Sequence, residues 1–301
     1  MKIGLMLPLA DDETNGFKDL RALGIAAEEA GLDSVWGADH VIFREDGETT
    51  GIHECWTVLT AIAAVTSRVE IGPLVLALPF RNPALTAKMA AELDEVSDGR
   101  LILGLGCGWH RPEFDAFGYP FDHRVSRFDE GLQVLVPLLR EGRVDFAGEY
   151  HRAADAELRP RPIREGGPPI LIAGKQPRML KLVARYADQW NGAWYGHPDD
   201  AHELRERLTN LRAALDAVGR DPAALELTAG IFVAFDGAEA DAPERAIRGS
   251  LDEVADALAG YAALGISHLI AHVFPRTPGA VRSLGEAAAR ARQRVPVASL
   301  G

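Results

Sequence analysis

Two cysteines in 301 residues, Cys55 and Cys107, leave no material for a disulfide framework and point to a reducing compartment. No apolar run approaches the roughly 18 residues that a membrane-spanning helix needs. The apolar start, Met1-Lys2-Ile3-Gly4-Leu5-Met6-Leu7-Pro8, is too short for a signal-peptide core. It also lacks a small-residue cleavage site and runs into Asp11-Asp12-Glu13, so a cytoplasmic location is expected. Basic residues are in the minority, 32 Lys+Arg against 44 Asp+Glu, for a net charge of −12. A binder of phosphate backbones needs the opposite balance, which disfavours nucleic acid as a partner. What remains is a chain acting on a small-molecule substrate, with neither membrane nor nucleic acid involved.

The chain has ample apolar material, 47% of its residues, and its pattern is regular. Short apolar or β-branched runs read as buried strands at 2–8, 34–37, 69–76, 101–105, 169–173, 188–192, 225–234 and 267–271. Helical periodicity fills the intervals 16–30, 54–66, 83–97, 123–140, 176–186, 199–217, 251–264 and 279–293. Asn82-Pro83 and Gln176-Pro177 place proline in a helix's first turn, and Gly31, Gly219 and Gly265 follow helix ends. Eight alternating βα units predict a (β/α)8 TIM barrel, read as one domain over 1–301. An open doubly wound sheet is the other arrangement, but its usual opening glycine fingerprint is missing here. Two places break the rhythm: a long loop at 106–122, and an insertion at 143–168 before strand 5. The insertion reads as a hairpin over Val144–Tyr150 turning at Ala147-Gly148.

In a barrel, the residues just past the strand ends converge on one mouth. Here they are Pro8, Asp39-His40, Leu74–Leu78, Gly106-Cys107-Gly108-Trp109-His110, Ala173-Gly174-Lys175, Asn191–Trp194 and His272. Trp, His and Gly in such numbers suit a flat aromatic ligand approached by backbone. At this rim His40 is a candidate acid or base with Asp39 orienting its ring, although elsewhere an Asp-His pair is commonly a cap beside an incidental histidine. Gly104-Leu105-Gly106-Cys107-Gly108 is not a dinucleotide turn, because Trp109-His110-Arg111-Pro112 follows instead of a helix. These glycines let backbone pass close to a ring system, and Cys107 reads as a small packed thiol rather than a nucleophile. Ala173-Gly174-Lys175-Gln176-Pro177 is either a plain βα turn or a phosphate seat at a helix N-terminus.

Val35-Trp36-Gly37-Ala38-Asp39-His40, the run Pro79-Phe80-Arg81-Asn82-Pro83, Gly104–Trp109 and Tyr186–Asn191 together resemble the bacterial luciferase-like flavin/deazaflavin oxidoreductases. That family is built on a (β/α)8 barrel. One branch uses reduced FMN and O2, commonly with Glu-His-His after the second strand; the other uses the deazaflavin coenzyme F420, commonly with Asp-His. Asp39-His40 followed by Val41 resembles the F420 branch. The resemblance implies a non-prolyl cis peptide at Leu74-Val75 behind the cofactor ring. It also implies a cofactor site of Asp39, Leu74, Val75, Gly106, Cys107, Gly108, Ala173, Gly174, Lys175 and Asn191. Catalysis would fall to His40, Asp39, Trp109 and His110, with no metal. Sugar-phosphate dehydrogenases of this branch carry a carboxylate where this chain has Trp109; His110 or Glu113 are the substitutes in reach, Glu113 also reading as a plain helix N-terminal charge.

The expected reaction is hydride transfer between F420 and a small organic substrate, with a homodimer as the expected assembly. An FMN-dependent monooxygenase, supplied by a partner flavin reductase, is the alternative. Two further readings are a metal-dependent hydrolase built on Asp39, His40, His53, Glu54 or His272, and a flavin binder without catalysis. No chelating His-x-His pair sits on a strand to favour the hydrolase.

Overall fold

The barrel strands of this chain are largely apolar and buried on both faces, as strands covered by helices on one side and by a closed interior on the other tend to be. The computed structural model describes residues 1–10, 16–236, 238 and 242–295, so the acidic run at 11–13 lies outside it. The first half comprises β1 (Lys2–Met6), α1 (Phe17–Glu29), β2 (Ser34–Gly37), β3 (Ile42–Glu45), β4 (Glu48–Gly51), α2 (Cys55–Ala63), β5 (Glu70–Pro73), β6 (Leu76–Ala77), α3 (Pro83–Val96), β7 (Leu103–Gly106), α4 (Arg111–Phe117) and α5 (Arg124–Arg140). The second half comprises β8 (Arg143–Ala147), β9 (Arg152–Glu157), β10 (Ile170–Ala173), α6 (Pro177–Tyr186), β11 (Gln189–Tyr195), α7 (His202–Asp216), β12 (Glu226–Ala234), α8 (Leu251–Ala263), β13 (His268–Phe274) and α9 (Pro278–Arg294).

Nine parallel strands run in the order β5-β2-β1-β13-β12-β11-β10-β7-β6. β5 and β6 are pieces of one barrel strand parted by Leu74 and Val75, whose peptide is cis. A bridge between Ile71 and Leu101 brings β5 to the approach of β7, so the sheet curls round on itself. The arrangement is the anticipated α/β barrel, with its third strand split in two. Helix signals hold where they are local. Asn82 caps α3 by accepting from the Ala84 and Leu85 amides, and Gly31, Gly219 and Gly265 take positive φ after helix ends.

Two apolar layers hold the barrel. The larger lies between sheet and helices; the smaller fills the interior with Met6, Trp36, Leu74, Ile102, Leu171 and Ile270. Trp36 is fully buried there because β5 supplies Gly72, where an added Cβ would lie 2.6 Å from the indole. Below this layer the interior turns polar. The Trp36 indole N–H donates to Ser34 Oγ at 2.7 Å, and Ser34 Oγ lies 2.7 Å from His268 Nε2.

Three local features depart from the periodicity. The 143–168 insertion forms its hairpin from β8 and β9, with the turn at 148–151 rather than at Ala147-Gly148. A distant carboxylate sets that turn: Glu130 on α5 accepts the amides of Glu149, Tyr150 and His151. The loop at 106–122 contains α4, and residues 42–51 form the β3–β4 hairpin. Its turn, Asp46-Gly47, has φ of 50° and 85°, so the Asp-Gly dipeptide was the available signal. No helix among the described residues is long and apolar enough to cross a membrane.

Candidate active site

The carboxyl ends of the barrel strands open into one cavity of about 1300 Å³. Its walls include Met6 and Leu7 at the end of β1, Ala38, Asp39 and His40 after β2, and Leu74 and Val75 at the split strand. Gly106, Cys107, Gly108 and Trp109 follow from β7, Ala173, Gly174 and Lys175 from β10, Asn191 and Trp194 from β11, and His272 from β13. Residues separated by more than two hundred positions thus meet at one rim, as parallel closure requires.

His40 and Asp39 do not act on each other. His40 Nδ1 lies 3.0 Å from Glu113 Oε1, and Glu113 Oε2 accepts the Val41 amide at 3.0 Å. Glu113 is 1% exposed and sits in the first turn of α4, where a carboxylate suits the helix dipole. The expectation that Asp39 orients the ring is therefore corrected. The buried Asp39 carboxylate accepts instead from the Ala77 amide at 2.8 Å and from both arms of Arg81. The physical reason is competition: a bidentate guanidinium and a backbone amide at a split strand already occupy the same oxygens.

Trp109 and His110 part company. Trp109 lines the cavity, 60% exposed, with its ring edge-on to His40 at 5.7 Å between centroids. His110 is buried, and it is not among the residues lining the cavity. Its Nε2 accepts the Arg44 amide at 3.0 Å, and its ring packs 4.8 Å from Phe43, so it anchors the β3–β4 hairpin. That geometry corrects its assignment to catalysis. Phe43 itself lines the cavity 4.6 Å from His40, a contact that only the unforeseen hairpin makes.

The glycines of β7 make room for protein rather than for ligand alone. A Cβ on Gly104 would lie 2.0 Å from the Pro73 carbonyl oxygen, and one on Gly106 would lie 2.7 Å from Val75 Cγ2. Both positions let β7 run beside the break in the third strand. Gly108, at φ 72°, closes against the Phe114 ring. Cys107 is partly buried, and that burial pushes its thiol above the usual range, against a smaller opposing effect of Arg124.

On the far side, Gly174 packs on Met179, and its carbonyl accepts the Trp190 indole N–H at 2.8 Å. Lys175 and Gln176 are exposed, and the α6 N-terminus has no side-chain cap. The first amides of α6 are therefore left without a side-chain acceptor, at a helix start where Lys175, Gln176 and Met179 line the cavity. Arg124, at the start of α5, adds a second cation to the lining. Asn191 is held rigidly: its Nδ2 donates to Thr228 Oγ1 at 2.9 Å, and its Oδ1 accepts the Ala193 amide at 3.1 Å. Ala193 has φ 136° in a β11 bulge that turns Trp194 into the cavity.

Trp194 packs 4.7 Å from His272, which stacks on Phe232. Desolvation among these rings, with the Arg276 charge behind them, holds His272 below the ordinary histidine range. The hydrolase reading needs Asp39 and Glu54 free to serve beside His40, whereas both are engaged by Arg81. Among the described residues no three His, Cys, Asp or Glu side chains cluster to hold a metal ion.

Comparison with known proteins agrees with this architecture. The chain is 37% identical over 186 residues to an F420-dependent glucose-6-phosphate dehydrogenase of Amycolatopsis mediterranei, covering 60% of this chain and 54% of the relative. It is 33% identical over 209 residues to the pyrimidine monooxygenase RutA of Methylorubrum extorquens, covering 62% and 56%. The chain thus spans about half the length of these curated relatives. In fold it matches the coenzyme F420-dependent tetrahydromethanopterin reductase of Methanopyrus kandleri, with a TM-score of 0.78 at 20% identity over 94% of this chain and 97% of that one. The luciferase-like monooxygenase family model matches residues 1–294, and the chain belongs to that family.

Proposed function

We propose that the protein is a coenzyme F420-dependent oxidoreductase acting on a small, uncharged organic substrate. The observation that carries this reading is that His40, the Leu74-Val75 break and the residues at the uncapped α6 N-terminus line one cavity. The residues suit such a cofactor. Leu74, Val75 and Met6 offer an apolar backing for a flat ring, and the α6 amides with Lys175 and Arg124 offer a seat for a phosphate. When bound, F420 supplies two-electron hydride chemistry. His40 Nε2, the ring nitrogen not engaged by Glu113, takes or returns the balancing proton. Trp109 and Phe43 cover the substrate and exclude water.

The lining also bears on substrate class. Its hairpin side presents Phe43, Ile52 and Leu9 with the carboxylates Glu45, Asp46 and Glu48, while Lys175 and Arg124 lie toward α5 and α6. With those cations given to the cofactor, an anionic substrate meets like charge at the hairpin. Trp109 stands, moreover, where the resemblance puts the sugar-phosphate enzymes' carboxylate. The likeness to the pyrimidine monooxygenase supports a second reading, with FMN and O2.

A side-by-side fluorescence titration of the purified protein with F420 and FMN tests the proposal. Tight F420 binding with weak FMN binding is expected. Preference for FMN replaces it with the monooxygenase, and binding of neither overturns both.

A further inference from the structure

We infer that Glu113 sets the tautomer of His40, holding the proton on Nδ1 so that Nε2 faces the cavity as a bare acceptor in the neutral ring. Both oxygens of Glu113 are committed. Oε2 takes the Val41 N–H, a donor that cannot change role, and Oε1 lies 3.0 Å from His40 Nδ1. A carboxylate only accepts, so the neutral imidazole meets it with Nδ1–H. Glu113 is 1% exposed, so water does not substitute for either partner. Nε2 has no protein partner among the described residues, and it is the nitrogen left for chemistry. Carboxylate control of a catalytic imidazole's tautomer is a known device. Here the carboxylate comes from α4, seventy-three positions away, and the neighbouring Asp39 plays no part in it.

The geometry makes a sharp forecast for Glu113→Gln. The Val41 N–H demands an oxygen, so the glutamine carbonyl must occupy the Oε2 position. Its NH2 then faces Nδ1, which must become the acceptor, and the proton moves to Nε2, inside the cavity. The opposite amide orientation sets two buried donors against each other at Val41, which costs a full unsatisfied group. A substitution that removes one charge thus reverses the polarity of the ring.

His110 is a built-in control. Its Nε2 accepts the Arg44 N–H, so its neutral ring also carries the proton on Nδ1, but the Glu113 oxygens are bonded to His40 and Val41 instead. The decisive experiment is nitrogen-15 NMR of histidine-labelled protein without cofactor, at a pH where the rings are neutral. His40→Ala and His110→Ala spectra assign the two rings. The expected result is Nδ1–H for both in the wild type, and Nε2–H for His40 alone in E113Q. An unchanged His40 in E113Q, or loss of both tautomers together, overturns the inference. Should E113Q not fold, the wild-type spectrum decides: Nδ1–H on His40 supports it and Nε2–H overturns it.

The consequence for activity rests on the function proposed above, in which Nε2 moves the proton. There, E113Q lowers kcat by about a hundredfold or more with little change in cofactor affinity, and on the His40→Ala background it has no further effect. The tautomer is read without cofactor. Failure of F420 binding therefore overturns the proposed function and leaves this inference standing, whereas a wrong tautomer does the reverse.

Discussion

Arg81 grips Asp39 with both arms of its guanidinium, Nη1 at 2.7 Å from Oδ2 and Nη2 at 2.9 Å from Oδ1. The same Nη2 reaches Glu54, the cap of α2, so one cation ties the end of β2 to the start of that helix. Asp39 and Glu54 in turn hold the guanidinium well above its ordinary range, against the opposing effect of burial. Arg81→Met leaves the buried Asp39 with the Ala77 amide as its one hydrogen-bond donor among the described residues. Breaking one partner of a buried pair costs about 3–5 kcal/mol. Urea denaturation measures it, and a loss below about 1 kcal/mol would class the contact with exposed ion pairs.

Gly104 is the tightest point of β7. An alanine there must displace the Pro73 backbone carbonyl, which no rotamer change relieves. Gly104→Ala should destabilise by about 3 kcal/mol, the upper end of ordinary overpacking. It should also weaken cofactor binding, because Leu74 and Val75 move with Pro73. A variant as stable as the wild type would mean that the split strand yields freely.

His268 makes stability fall in mild acid. Burial, followed by the Lys2 and N-terminal charges, lowers its pKa from 6.5 to about 3. The unfolded chain then binds a proton that the folded chain refuses between those values. Stability from this group is complete above about pH 6.5 and is lost as pH falls toward 3, at up to about 1.4 kcal/mol per unit. His268→Gln, whose amide can either donate to Ser34 Oγ or accept from it, should flatten that slope in denaturation series between pH 4.5 and 7. Parallel curves for the two proteins would contradict a neutral buried ring.

His40→Ala tests the division of labour at the rim. Turnover should fall about 10²–10⁴-fold, the usual worth of a positioned acid or base. F420 affinity should stay nearly constant, because the cofactor contacts proposed here lie at Leu74, Val75 and the α6 N-terminus. Stopped-flow turnover beside a fluorescence titration reads both quantities, and matched losses would remove His40 from proton transfer.

Most of the barrel is legible in the one-dimensional pattern because its causes are short-range. A strand buried on both faces is apolar over most of its length, helices repeat every 3.6 residues, and caps such as Asn82-Pro83 act within a turn. The strand ends followed, and with them a rim containing His40, Trp109, Gly174 and Asn191. The β3–β4 hairpin escaped because its strands are short and largely exposed, with only Asp46-Gly47 as punctuation.

The partners of the polar groups belong to another scale. Asp39 and His40 are adjacent, and adjacency made them look like a pair. Closure of the barrel instead delivers Arg81 to one and Glu113 to the other, across 42 and 73 positions. Hydrogen bonds are directional and effective within about 3 Å, so which oxygen meets which nitrogen depends on side-chain placement that no periodicity encodes. Hydrophobic burial is non-directional and tolerant of detail, which is why composition and spacing suffice for the scaffold while the wiring of its rim emerges only from the folded chain.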